Sequence, residues 1–215
     1  MDIRNLVEQS QGVIYHELGH LIGYILADKN PVTTLGNVAK FEVGIKINRV
    51  LPKTTLYHFE NSSEEWDRVF ENTKNYERTL AWFIEVVSGC TMQSLFENCD
   101  FNDCFGYEPK IGSVDYANIC AIQGILSFEF TFDLIYSLQE EIKNLFIKYD
   151  LLEKLKPVVS NVKEYIINSS DHQVYLEEQE LSQLIDTVDN LLEFPFVGEY
   201  FNIIKKNSNN LNPAS

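Results

Sequence analysis

Apolar residues recur at helical spacing over residues 3 to 28: Ile3, Leu6, Val7, Val13, Ile14, Leu18, Leu21, Ile22, Ile25 and Leu26. The spacing predicts a helix there. Gly12 is the expected point of a kink or interruption, and Asn30-Pro31 the expected end, because a residue before proline is pushed out of the helical region. The pattern then changes. Val32-Thr-Thr-Leu35, the stretch from Phe41 to Val50 and Thr54-Thr-Leu-Tyr-His-Phe59 are β-branched, aromatic and partly alternating, which predicts two or three short strands. Ser62 or Ser63, followed by acids, is an expected helix start.

Helical spacing returns over residues 76 to 97, with Leu80, Phe83, Ile84, Val87, Met92 and Leu95 near one face. Residues 98 to 113 read as a loop by composition. A helix is expected from about Val114 to Tyr149, with Gly124 as a break, and two more over 151 to 168 and 175 to 192. The polar stretch from Lys205 to Ser215 reads as disordered. The expected architecture is α+β and mostly α. Residues 1 to 125 form a core with one small sheet, residues 126 to 204 form C-terminal helices packed on it, and residues 205 to 215 form a tail.

The chain has 215 residues, of which 17 are Lys or Arg and 32 are Asp or Glu, for a net charge of −15. So little positive charge argues against nucleic acid as a partner, since phosphate binding is driven by cationic side chains releasing counterions. No apolar run approaches the roughly 18 residues of a membrane helix. The first residues lack the basic-then-apolar layout of a signal peptide. Neither the Gly-x-x-x-x-Gly-Lys phosphate loop nor the dinucleotide glycine pattern occurs. The four cysteines, Cys90, Cys99, Cys104 and Cys120, form no C-x-x-C pair and are too sparse for a disulfide scaffold. They read as reduced, mostly buried thiols, which points to the cytoplasm. Their spacing lacks the close pairs of a four-cysteine zinc knot.

The residues that carry chemistry lie in the first helix: His16-Glu-Leu-Gly-His20. Two histidines four apart share one helix face, so both imidazoles can reach one ion. Glu17 is offset from that direction, which suits a base acting on a zinc-activated water better than a ligand. With 4 histidines and 21 glutamates in the chain, random placement would give roughly 0.007 matches to this pattern. The flanking residues are apolar, and a polar face on a buried helix needs partners, which a metal would supply.

Catalytic zinc takes three protein ligands as a rule. A histidine at position 26 would complete the metzincin pattern, but that residue is Leu26. His58, His172, Glu85 and Asp115 are the alternatives. Glu85 lies among apolar residues in Trp82-Phe-Ile-Glu-Val-Val87, unusual for an acid without a partner, and Asp115 on local grounds reads as a helix-start residue.

The order of segments resembles the peptidase domain of the FtsH-like, AAA-linked zinc metalloproteases. His16-Glu-Leu-Gly-His20 matches the family's first motif. Asn30-Pro31-Val32 and the strands to Val50 resemble its proline turn and β segment. Leu80 to Phe96, with Gly89, stands where its second helix does, and Gly112-Ser-Val-Asp115 resembles its third-ligand segment. Tyr175-Leu-Glu-Glu-Gln-Glu-Leu181 looks like the opening of its closing helix. The resemblance implies a zincin-like metallopeptidase domain with zinc held by His16, His20 and Asp115, and Glu17 as general base. Nothing in these 215 residues resembles the family's ATPase module or membrane anchor, so a chain acting without them is expected. The family's Gly-Arg-x-Ala-Glu-Glu reads Gly89-Cys-Thr-Met-Gln-Ser94, and Val114 replaces the usual Asn before the aspartate. The expected activity is therefore ATP-independent hydrolysis of peptides or unfolded protein by this single chain. A homo-oligomer or an ATPase supplied in trans would fit as partners. The alternative expectation is a catalytically inactive, zinc-stabilised interaction or adaptor domain.

Overall fold

The computed structural model describes residues 3–44, 75–107, 110–123 and 131–211, with the backbone alone for 121–123. The described elements are α1 (Ile3–Gln9), α2 (Gln11–Asp28), β1 (Phe41–Gly44), α3 (Tyr76–Glu97), α4 (Phe101–Cys104), α5 (Ser113–Gln123), α6 (Phe132–Lys148), α7 (Leu151–Asn168), β2 (Gln173–Leu176), α8 (Glu178–Asp189) and α9 (Phe194–Leu211). The described residues are mostly helical with one two-stranded antiparallel sheet, in line with the expected α+β, mostly α class. Among the described residues no helix is long and apolar enough to cross a membrane.

The first helical segment is interrupted at Ser10, not at Gly12. The Ser10 hydroxyl donates to Leu6 O at 2.8 Å, and its amide donates to Val7 O at 3.1 Å, so it closes α1. Gly12 instead allows α2 to pass close to the end of α3: a Cβ there would lie 2.0 Å from Glu97 Oε1. Helix α2 stops where the proline predicts. Val32-Thr-Thr-Leu35 does not form a strand, because Thr33 is spent on that stop. Its hydroxyl donates to Ala27 O at 2.7 Å, and the amides of Thr33 and Thr34 both donate to Asn30 O at 3.0 Å.

Helix α3 has the bounds the spacing predicts. The Asn75 side chain accepts from Arg78 N at its start, and Asn98 ends it in the left-handed conformation (φ 52°). It is the central element: α2, α6 and α9 all pack on it. Helices α2 and α3 cross glycine against backbone. A Cβ on Gly19 would lie 2.4 Å from Ser88 O, and one on Gly23 would lie 2.6 Å from Glu85 Cα. Only glycine lets the two backbones approach this closely.

Strand β1 realises part of the predicted β segment. Its partner β2 comes from far along the chain, with Phe41 opposite Leu176 and Gly44 opposite Gln173. Tyr175, expected at a helix start, is therefore in a strand, and the helix begins at Glu178. The predicted strand at Thr54–Phe59, the helix start at Ser62 or Ser63, and His58 lie outside the described residues.

The stretch from 98 to 113 is not plain loop. It holds α4, closed by a reciprocal Asp100–Asp103 capping box, and a bridge between Phe105 and Gly112. A new helix starts at Phe132 under a Thr131 cap, and α7 has its predicted bounds. The tail expected to be disordered is helical as far as Leu211. Its polar Asn207 is buried and donates to Glu141 Oε1 at 3.2 Å, which ties that turn to α6.

Candidate metal centre

His16 and His20 project from α2 on one face, one turn apart, as their spacing requires. Asp115 reaches them from the first turn of α5. His16 Nε2 and His20 Nε2 are 3.1 Å apart, and Asp115 Oδ2 lies 3.2 Å from the former and 3.5 Å from the latter. Among the described residues His16, His20 and Asp115 form one group whose donor atoms could hold a metal ion. His172 is elsewhere, in the turn before β2, with Nδ1 3.4 Å from Ile166 O.

Glu85 is not a member of the triangle. It stands behind His20: Nδ1 of that imidazole lies 3.0 Å from Glu85 Oε1 and 3.2 Å from Glu85 O. An Nδ1–H donated to these oxygens leaves the Nε2 lone pair facing His16 and Asp115. This carboxylate–histidine arrangement fixes ring orientation and tautomer and makes the imidazole a better ligand. The oddity that marked Glu85 in the sequence, an acid among apolar residues, is explained by this bond. It is buried, as are His16, Glu17 and His20.

Gly89 of α3 gives the His20 ring its space. A Cβ there would lie 2.4 Å from His20 Nε2 and 2.8 Å from the adjoining ring carbons. Gly112 does the same below Asp115: its Cβ would collide with Cys90 Sγ at 2.1 Å and approach Asp115 Oδ2 to 3.3 Å. The Cys90 thiol lies 3.9 Å from Asp115 Oδ2. Burial pushes its ionisation well up, and the charges of Asp115 and Glu17 add to the effect. Sequence reasoning missed Cys90, since nothing in its local pattern separates it from any other buried cysteine.

The electrostatics favour positive charge at the centre. Burial opposes protonation of His20, but the charges of Asp115 and Glu85 and their hydrogen bonds to it prevail and raise it well above the usual imidazole range. Burial would likewise raise Asp115. The charge on His20 and hydrogen bonds from both histidines outweigh it and hold the carboxyl well below its usual range.

Zinc fits this set. A tetrahedral ion with bonds of about 2.0–2.1 Å spaces its ligand atoms about 3.3 Å apart. The edges here are 3.1, 3.2 and 3.5 Å. Two imidazoles and one carboxylate are a donor set of the three-ligand, catalytic type. His16 Nδ1 is buried with no hydrogen-bond partner among the described residues. Comparison with protein-family models, with curated proteins and with solved structures finds no match.

Proposed function

We propose that this chain is a zinc-dependent metallopeptidase in a zincin-like helical setting, hydrolysing peptide bonds without ATP. The observation that carries this reading is the triangle of His16 Nε2, His20 Nε2 and Asp115 Oδ2, whose edges suit one tetrahedral ion. His16, His20 and Asp115 would hold the ion, and Glu85 and Gly89 would keep His20 in its liganding pose. When bound, zinc supplies Lewis acidity, which acidifies water and polarises a carbonyl group. Glu17 is the residue that would take a proton from the attacking water and pass it to the leaving amine, as a carboxylate does in general acid–base catalysis. Its burial keeps it out of bulk solvent. A flexible peptide or an unfolded segment is the substrate class in keeping with so buried a site.

One observation favours the adaptor reading. Cys90 stands against Asp115, and a thiolate recruited as a fourth protein ligand would close the site to substrate. Zinc analysis together with cleavage of an unstructured polypeptide such as casein tests the proposal. Stoichiometric zinc with cleavage that disappears in Glu17→Gln supports the peptidase. Zinc retained by the wild type with no cleavage, and a Cys90 thiolate among its ligands by X-ray absorption, supports the adaptor.

A further inference from the structure

A second group of metal-ligating side chains lies outside this centre, at the junction of α3 and α4. Cys99 Sγ and Cys104 Sγ are 3.6 Å apart, and a Glu97 carboxylate oxygen lies within 4.8 Å of both. The turn that brings them together is tightly built. Asn98 reverses the chain in the left-handed conformation, the Cys99 amide donates to Ser94 O, and the Asp100–Asp103 capping box fixes the next turn. Glu97 is held too. Its Oε1 accepts from Gln93 Nε2 at 3.0 Å, and the missing side chain of Gly12 makes room for it against α2.

We propose that Glu97, Cys99 and Cys104 form a second site, for a thiophilic divalent cation of the zinc class. The spacing of the sulfurs is the first argument. Two thiolates on one tetrahedral ion at about 2.3 Å are separated by about 3.8 Å. The observed 3.6 Å is close to that and far from the roughly 2.05 Å of a disulfide. The charge is the second. Glu97 beside the pair and Asp103 near Cys104 put negative charge there, which discourages a free thiolate and hence oxidation, but welcomes a cation that displaces the thiol protons. Cys104 is buried while Cys99 is half-buried and Glu97 exposed, so an ion can enter from the Glu97 side.

The site has a structural consequence. Cys104 O accepts the Gly112 amide at 3.1 Å, and Gly112 immediately precedes α5, whose first turn carries Asp115. An ion on Cys99 and Cys104 therefore braces the loop that presents Asp115. The residues are separate from those of the first centre, so the two readings stand or fall apart.

Cobalt(II) titration of the reduced full-length chain tests this, because only thiolate ligands give an intense near-ultraviolet charge-transfer band. The expected result is such a band in wild type, kept in Cys90→Ser and in the His16→Ala/His20→Ala double variant, and lost in Cys99→Ser/Cys104→Ser. Alkylation mapping of the wild-type chain needs no variant: Zn2+ should slow labelling of Cys99 and Cys104 together, by tenfold or more. A missing band at excess cobalt, a band that depends on Cys90 alone, or equal labelling with and without Zn2+ would overturn the proposal. So would oxidation of the pair to a disulfide at a rate that Zn2+ does not change.

Discussion

Helices α2 and α3 are buried on every side along their central stretches and enclose polar residues, whereas α7 and α8 each bury one apolar stripe and keep their charges in water. The second kind of helix needs only a surface to lie on. The first kind puts polar groups where an unmet donor or acceptor costs on the order of 1–3 kcal/mol, so a partner inside the fold is strongly favoured. In α3, Ser88 and Thr91 meet the demand locally, donating to Ile84 O and Val87 O. The ionisable groups cannot. Among the described residues the buried histidines and carboxylates are His16, Glu17, His20 and Glu85, all of them on α2 and α3. The difference between the two regions is that, among the described residues, histidines and carboxylates are buried along α2 and α3 and not along α7 and α8.

The sharpest way to separate chemistry from packing is Glu17→Gln, which should reduce peptide cleavage by about 10²–10⁴-fold and leave zinc content and Tm nearly unchanged. Unchanged cleavage would remove Glu17 from the mechanism. Glu85→Gln weakens the support of His20 without touching the triangle, and zinc affinity should fall by about 10–100-fold in a chelator competition. The pH dependence of that affinity follows from His20. Its raised pKa means that zinc must displace a proton, so binding should weaken as pH falls through the His20 pKa, by up to about tenfold per unit. Calorimetry in two buffers of different protonation enthalpy would read the released proton.

The same substitution should have opposite signs in the two regions. Gly19→Ala pushes a Cβ into Ser88 O and should cost about 1–3 kcal/mol in a denaturant titration. Gly198→Ala, in α9, meets nothing within 4 Å and should stabilise by about 0.8–1 kcal/mol through helix propensity. Equal effects would mean that the close crossing of α2 and α3 is not what glycine serves.

The sequence makes the two kinds of region legible to different degrees. The shared face of His16 and His20 and the bounds of α3 and α7 are local properties, and all three read correctly. Strand β2 does not, because Gln173-Val-Tyr-Leu176 is a strand only by virtue of Phe41–Gly44, far away in the chain. The helical turn around Asn207 escapes composition for the same reason: its bond to Glu141 is tertiary. Glu85 is conspicuous in sequence as a buried acid, yet only the fold shows that it meets His20 from behind, at Nδ1, while Asp115 meets both histidines at Nε2. Cys99 and Cys104 look unpaired by spacing, and it is the left-handed Asn98 and the α4 capping box that fold them together.

Asp115 enters the triangle from a helix that starts nearly a hundred residues beyond His20 in the chain. An ion held there is a crosslink as well as a reagent. Closing a loop of about 100 residues removes about 4.7 kcal/mol of chain entropy from an unfolded state that keeps the link. An unfolded chain that releases the ion instead gives up its binding energy. Either way, the lifetime of the folded molecule becomes a function of metal supply, and a chelator should act on it as a denaturant acts on other proteins.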